Sequence, residues 1–288
     1  MAPEADQQAA IHSLPPPAAD APAAPTVALP AEPPSPLPLP AELEAAPPAA
    51  AATATASATA TAPPQPSPRP VVAIIIDDMG YNPQLDRQFV QMETLSRLSF
   101  SFLPHAPYAG ELAQLARAAG RDILVHLPME PKDAHMRLEP ETLLATDSAE
   151  EIRRKVEEML AAIPDAAGAS NHMGSLFSAS GQRMRVVLET LKAHDLYFVD
   201  AFTTPGSQGL AVARQLGLPS ARRHLFLDNE REIGAICRQL RQLAALAEQQ
   251  GEAVGIGHPN QAMLAALDQC GGAALHAVDL VGVSGLVR

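Results

Sequence analysis

Two adjacent carboxylates stand at the end of a predicted buried strand. The apolar run Val71–Ile76 is followed directly by Asp77 and Asp78 and then by a glycine. An aspartate often caps a turn by accepting a bond from a nearby amide, but that role explains one acid and not two. Because adjacent like charges repel and a cation relieves the repulsion, the pair predicts a catalytic or cation-binding site.

Three histidines follow later predicted strands. His126 comes after DILV and before Pro128, His172 lies in SNHMGS, and His258 lies in GIGHPN. The alternatives are a buried core histidine for His126, a loop histidine for His172 and a turn cap for His258. One carboxylate and two imidazoles form a ligand set expected for zinc or a similar divalent metal with an open position. We therefore predict a divalent metal site, with zinc as the preferred ion.

Other polar residues follow the same strands but carry a weaker signal. Glu130 lies beside a lysine and is equally explained as a solvated acid, and Asp200 is equally explained by structural hydrogen bonds. Asn171 and Ser175 flank His172 and are additional candidates for the site. The pair at 228–229, with a glutamate at 232, has the spacing of a helix cap.

The second part of the chain alternates apolar runs with helical periodicity. Asn82 before a proline and Ser148 three residues before Glu151 are helix-start signals. Apolar residues at helical spacing predict helices over Ile152–Ile163, Val186–Leu191, Ile233–Leu246 and Met263–Leu267. The predicted strands are Val71–Ile76, Leu98–Phe102, Ile123–Val125, a short one before Ser170, Tyr197–Val199, His224–Leu227, Ala253–Ile256 and Leu280–Val283. Repeated β–α units favour an α/β fold, a distorted (β/α) barrel of seven to eight units, with a doubly wound open sheet as the alternative. In such a barrel the loops after the strands build the active site.

Composition limits the classes of function. The formal net charge of −12 argues against a nucleic-acid partner, which needs a basic face, and no polybasic segment for a membrane surface is present. No apolar run reaches the roughly 18 residues of a membrane span, and residues 1–10 show no secretory signal. Cys237 and Cys270 are far apart and in no metal-binding pattern, so we expect two buried free thiols.

Residues 1–70 contain 19 of the 29 prolines and no aromatic residue. Proline-rich, alanine-rich sequence of this kind predicts a disordered linker, with a proline-rich docking segment near Ser35–Pro40 as the alternative. Residues 71–288 are then the folded domain. A tether implies something at its far end, so we expect a membrane anchor upstream of this chain and no other membrane contact.

Seven ordered motifs resemble the divergent polysaccharide deacetylase family, which is related to NodB-type carbohydrate esterases. They are AIIIDDMG, FSFLPHAP, LVHLPMEP, SNHMGSLFS, FVDAFTTP, HLFLDN and VGIGHPN, and together they cover essentially all of residues 71–288. The resemblance implies a distorted barrel and a place in the bacterial periplasm or cell envelope.

The resemblance also implies roles for the candidate residues. Asp77 matches the general base, Asp78 and His126 match metal ligands, and His258 matches the general acid. The second histidine of the family's pair is replaced by Glu130, so either Glu130 or His172 is the third ligand, and the expected arginine motif is absent. The implied function is metal-dependent removal of N-acetyl groups from an envelope polysaccharide. The alternative is a non-catalytic protein that binds a glycan or a protein on a retained barrel.

Overall fold

The computed structural model describes residues 69–288, so the predicted linker lies outside the described residues except for its last two positions. Within this range the chain forms nine strands. They are β1 (Val71–Met79), β2 (Ser99–Phe102), β3 (Asp122–Met129), β4 (Gly168–Met173), β5 (Tyr197–Asp200), β6 (Ser220–Arg222), β7 (Leu225–Phe226), β8 (Glu252–Gly257) and β9 (Asp279–Leu280).

Helices connect most of these strands. They are α1 (Pro83–Val90), α2 (Ala109–Ala118), α3 (Ala149–Ala162), α4 (Gly181–Ala193), α5 (Gly209–Leu216), α6 (Ile233–Gln250), α7 (Gln261–Ala266) and α8 (Gly272–Ala274). A π-helical turn, Leu267–Gly271, joins α7 to α8, and a 3₁₀ turn, Val283–Gly285, follows β9.

The sheet is a curled, parallel half-barrel. Its strand order is β6-β5-β4-β3-β2-β1-β8-β7, and β9 pairs with β1. The strands from β1 to β6 follow one another in sequence order across the sheet, whereas a doubly wound sheet reverses direction at a switch point near its first strand. The predicted barrel-type α/β fold is therefore confirmed, and the doubly wound alternative is wrong.

Successive residues of each strand face opposite sides of the sheet. On β1, the side chains of Val72, Ile74 and Ile76 belong to the large core beneath the helices, whereas those of Ala73 and Ile75 belong to a smaller apolar cluster on the concave face. The concave cluster also includes Leu124, Tyr197, Val199, Ala201, Ala221, Val254, Ile256, Val283 and Leu286. Because both faces of the strands are buried, the sequence runs are continuously apolar.

The predicted helix-start signals are confirmed. The side chain of Asn82 accepts a bond from the amide of Leu85 at the start of α1, and Pro83 occupies the first turn. Ser148 and Glu151 form a reciprocal capping box at the start of α3. These local bonds satisfy amide groups that have no partner inside the helix.

Several elements were not predicted. Helices α2 and α5 and the three-residue strand β6 lie in stretches where alanine and glycine dilute the apolar periodicity. The last strand is also shorter than predicted, because residues 283–285 form a 3₁₀ turn.

The prediction of free thiols is wrong. Cys237 on α6 and Cys270 in the π-helical turn form a disulfide that spans 33 positions, with their Cα atoms 6.0 Å apart. The two elements are distant in sequence but pack against each other on the outside of the sheet. A pairing that depends on tertiary packing leaves no local sequence pattern.

Over residues 69–288, no helix combines the length and the apolar character that crossing a bilayer requires.

Candidate metal centre

The concave face of the sheet carries chemistry-bearing side chains at its carboxyl-terminal end. The two-residue alternation that places apolar side chains on this face continues into polar ones at the strand ends. The resulting series are Ala73-Ile75-Asp77 on β1, Leu124-His126 on β3, Ser170-His172 on β4 and Ile256-His258 after β8. Parallel strands thus bring four of the predicted site residues to one edge.

Asp78 reaches the same site through an irregularity in β1. Alternation alone would turn it away from its neighbour Asp77, but the register of β1 against β2 shifts between Ile76 and Met79. Asp78 has a φ of +56°, which lies in the left-handed region that costs a non-glycine residue about 1 kcal/mol or more. The bulge therefore aims both adjacent carboxylates at one place.

The three predicted metal ligands converge. Oδ1 of Asp78 lies 3.1 Å from Nε2 of His126 and 2.7 Å from Nδ1 of His172. One donor atom from each residue lies within 4.8 Å of the other two. An oxygen and two imidazole nitrogens at this spacing are a suitable donor set for a divalent cation such as zinc.

A buried serine pair holds His126 from behind. Nδ1 of His126 lies 2.7 Å from the Ser170 hydroxyl, which lies 2.8 Å from the Ser101 hydroxyl. Both serines are fully buried on the concave face. The contact fixes the orientation of the ring and leaves Nε2 facing the two acids. Sequence reasoning missed these serines, although Ser170 lies two residues before the predicted ligand His172 on the same strand.

Asp77 is buried and only partly satisfied. Its Oδ2 lies 3.6 Å from Nε2 of His126, whereas Oδ1 has no hydrogen-bond partner among residues 69–288. Burial raises the pKa of the Asp77 carboxyl, against the opposing influence of the nearby histidines. An orphaned carboxylate oxygen beside the donor set fits a site that receives a metal and a water or substrate oxygen.

The two acids have opposite environments. Burial alone would raise the pKa of Asp78, but hydrogen bonds from His126 and His172 outweigh burial and hold that pKa far below its usual range. Burial likewise opposes charging of His126, yet the facing acids Asp77 and Asp78 leave its pKa raised. Asp78 is thus the permanent anion of the cluster.

His258 is held by an acid that was predicted to serve another purpose. Asp228 accepts bonds from the amide and Nδ1 of His258, both at 3.0 Å, and from the side chain of Asn260 at 2.8 Å. The predicted helix cap at 228–229 is therefore wrong: α6 begins at Ile233, and its N-cap residue Glu232 makes no side-chain capping bond. The available signal was that Asp228 follows β7 in the same way that the other candidates follow their strands.

The environment of His258 favours its protonated form. Burial lowers its pKa, but the hydrogen bond to Asp228 and the charge of Asp78 outweigh burial and raise the pKa to about 9. The ring also stacks on Phe226, with the two centroids 5.9 Å apart. The guanidinium of Arg223 lies over Phe226 at 3.7 Å and donates to the carbonyls of Ala201 and Phe202.

These groups surround one cavity of about 250 Å³. It is lined by Asp77, Asp78, His126, Asn171, His172, Met173, Ala201, Thr203, Phe226 and His258. Carboxylates and imidazoles face one another across it. Such a cavity has groups that can hold a cation, accept a proton and donate a proton within reach of one small substrate group.

The additional candidates have structural partners. Asn171 lines the cavity, but its side chain donates to the Met173 carbonyl and accepts from the amide of Ala201. Ser175 accepts from the amide of Lys132. These bonds fix the loop after β4 and the loop after β3.

Glu130 and Asp200 lie outside this cavity. Glu130 accepts from the amide of Ala145 at 2.5 Å and lines a separate cavity in the loop after β3. Asp200 accepts from the Ser207 hydroxyl and from the amide of Leu210 at the start of α5. Of the two alternatives for the third ligand, His172 and not Glu130 is adjacent to Asp78.

Comparison with known proteins identifies the family. Residues 74–287 match the family model described as divergent polysaccharide deacetylase. The chain is 35% identical over 198 residues to the uncharacterised protein YibQ of Escherichia coli (strain K12), covering 69% of this chain and 61% of that protein. It is also 35% identical over 218 residues to an uncharacterised protein of Haemophilus influenzae, covering 75% of this chain and 76% of that one.

A solved structure has the same fold. The crystal structure of the uncharacterised protein ATU2773 from Agrobacterium tumefaciens C58 superposes with a TM-score of 0.72 and 25% identity, over 78% of this chain and 92% of the other. The matched model spans nearly all of the half-barrel, from β1 to the final 3₁₀ turn. The chain therefore belongs to the divergent polysaccharide deacetylase family.

Proposed function

We propose that this protein is a metal-dependent hydrolase that removes N-acetyl groups from a polysaccharide of the bacterial cell envelope. The observation that carries the proposal is a single cavity in which a ligand cluster, a separate buried carboxylate and an acid-held imidazole face one another. Metal-assisted hydrolysis of an acetamide can use these three kinds of group together.

Asp78, His126 and His172 would hold the metal, and zinc suits their oxygen and nitrogen donors. A bound divalent cation polarises a carbonyl and lowers the pKa of water. The protein supplies the orientation: Ser170 fixes His126, and the bulge in β1 fixes Asp78.

Asp77 acts as the general base. Its free Oδ1 has no other hydrogen-bond partner within the described part of the chain, so it is available to accept a proton from the attacking water. Burial raises the pKa of Asp77, which strengthens it as a base, and the nearby histidines oppose that shift.

His258 acts as the general acid. Its Nδ1 is engaged by Asp228, which leaves Nε2 as the nitrogen that exchanges a proton with the leaving amine. A pKa of about 9 keeps the ring protonated at neutral pH, the state that an acid needs before the carbon–nitrogen bond breaks.

The disulfide supports the proposed compartment. Structural disulfides persist in oxidising environments such as the bacterial periplasm and are rare in the cytosol. Cys237 and Cys270 form such a bond on the outer face of the fold. An envelope polysaccharide would be accessible to an enzyme in that compartment.

The test is acetate release from N-acetylglucosamine oligomers by the zinc-loaded protein. Asp77→Asn and His258→Ala should retain stoichiometric zinc and lose activity, whereas Asp78→Ala and His126→Ala should lose the metal as well. Asp268→Asn, which changes an exposed carboxylate outside the cavity, is the control and should keep both properties.

Metal binding without acetate release on a broad glycan panel would contradict the hydrolase proposal. It would favour a glycan- or protein-binding role on the same barrel. Failure of Asp78→Ala to lower metal content would contradict the ligand assignment.

A further inference from the structure

A second cavity, of about 350 Å³, lies beside strands β6 and β8. Ser220 and Glu252, the first residues of β6 and β8, line it together with Arg222, the last residue of β6. The strand path runs from β6 to β7, so this cavity occupies the gap between the two ends of the half-barrel. It shares no residue with the candidate metal centre.

The charged side chains of this gap cavity are mainly basic. Arg214, Arg222 and Arg288 line it, and Glu252 is its single acid. Glu252 forms a salt bridge with Arg288 at 2.6 Å. The positive charges of Arg214 and Arg222 are therefore not balanced by an acid of this cavity. The whole chain has a formal net charge of −12, so the local charge of this cavity is opposite in sign to that of the protein. Guanidinium groups present forked N–H donors that match carboxylate and phosphate oxygens.

One of these arginines is held in place by an aromatic ring. The guanidinium of Arg222 lies over the ring of Phe202, 4.5 Å from its centroid. Stacking of this kind restrains the side chain while its in-plane N–H groups remain able to donate. Arg222 is therefore partly ordered before any ligand arrives.

Two neutral hydrogen-bond donors, His224 and Ser220, also line the cavity. Nδ1 of His224 accepts from the amide of Val254 at 3.0 Å, so the ring proton resides on Nε2. Burial is the main cause that lowers the pKa of His224, and the charge of Arg222 is the second cause. The ring is therefore neutral. Ser220 is only 6% exposed, and its hydroxyl has no hydrogen-bond partner within residues 69–288. A buried hydroxyl without a partner is costly, which points to a group from outside the chain.

The remaining lining is apolar. Leu210 of α5, Val254 of β8 and Leu286 near the end of the chain form this part of the wall. The volume is within the range of small-molecule sites, which combine an apolar wall with a few polar groups. We propose that the gap cavity binds a small organic anion, a carboxylate carried on a short apolar body.

In the experiment, the full chain is titrated with sodium butyrate. Binding is measured by saturation-transfer NMR and by the shift in the thermal midpoint of the protein. Butyrate should bind saturably, and the uncharged isostere butyramide should bind far more weakly. Arg214→Gln and Ser220→Ala should each weaken butyrate binding, the arginine change by about tenfold or more because it removes a charge-assisted donor.

Controls separate this site from the proposed hydrolase site. Asp78→Ala should leave butyrate affinity unchanged, so the result does not depend on the metal or on acetate release. The proposal is overturned if butyrate shows no saturable binding, or if Arg214→Gln and Ser220→Ala both bind it as the parent does. It is also overturned if butyramide binds as tightly as butyrate. If inorganic phosphate binds as tightly as butyrate, the proposed preference for a ligand with an apolar body is wrong.

Discussion

Removal of one buried hydroxyl should weaken metal binding without touching a metal ligand. In Ser170→Ala, Nδ1 of His126 loses the hydroxyl that lies 2.7 Å away, and Ser101 loses its own partner at 2.8 Å. Both serines are fully buried, so water has no direct access to replace the missing group. His126 would stay on β3, but its imidazole would lose the contact that fixes the orientation of the ring.

The expected magnitude follows from the burial of this contact. A buried donor left without its acceptor costs about 1–3 kcal/mol, and about 1.4 kcal/mol is a tenfold change in an equilibrium constant. Loss of a hydrogen bond behind a metal-binding histidine typically lowers metal affinity about 10- to 100-fold. We expect Ser170→Ala to fall in that range and Ser101→Ala, one step further from the ring, to have a smaller effect.

The assay is zinc affinity of the metal-free protein, measured by competition with a chelator of known affinity. Ser178→Ala is the matched control, because Ser178 is equally buried but its hydroxyl has no hydrogen-bond partner in the part of the chain that the structure describes. Its zinc affinity should equal that of the parent. Equal affinities for Ser170→Ala and Ser178→Ala would refute the orienting role of the serine pair.

Three further results are expected. Asp228→Asn should lower the pKa of His258 from about 9, so the alkaline limb of the pH–rate profile for acetate release should move to lower pH. Because the folded-state pKa of His258 is raised, its contribution to stability is complete below about pH 6.5 and is lost as pH rises through about 9. Thermal midpoints of the metal-free protein should fall over this pH range. In His258→Gln this pH-dependent fall should be absent. Reduction of the Cys237–Cys270 bond, or its removal by paired serine substitutions, should lower the free energy of unfolding by about 3–4 kcal/mol in denaturant titrations, as expected for a loop of 33 residues.

Strand positions were predictable because the apolar runs are strong, but the direction of the side chains was not. β1 is buried on both faces, so its sequence shows no alternation that would assign Asp77 to the concave side. The bulge that accompanies the turn of Asp78 to the same side appears only in the pairing of β1 with β2, the next strand along the chain. The paired acids were therefore predicted as a site, while the backbone irregularity that brings both carboxylates to one place was not.

Asp228 illustrates how a local signal competes with a distant one. The spacing from 228 to 232 fits a helix cap, and this local pattern was preferred over the position of Asp228 at a strand end. The actual partners, His258 and Asn260, lie 30 and 32 positions away and meet Asp228 because β7 pairs with β8. The role of an acid at a strand end is decided by the neighbouring strand.

The same reasoning explains why we propose different roles for two identical, adjacent residues. Asp78 faces two imidazoles and stays ionised, whereas Asp77 is more deeply buried, with one oxygen that has no protein partner in the described region, and its pKa is raised. A pair of titratable groups whose surroundings push their pKa values apart indicates a division of labour, with the low-pKa member suited to hold a cation and the high-pKa member suited to take a proton. Because both residues are aspartates, the proposed difference in their roles comes from their surroundings and not from residue type.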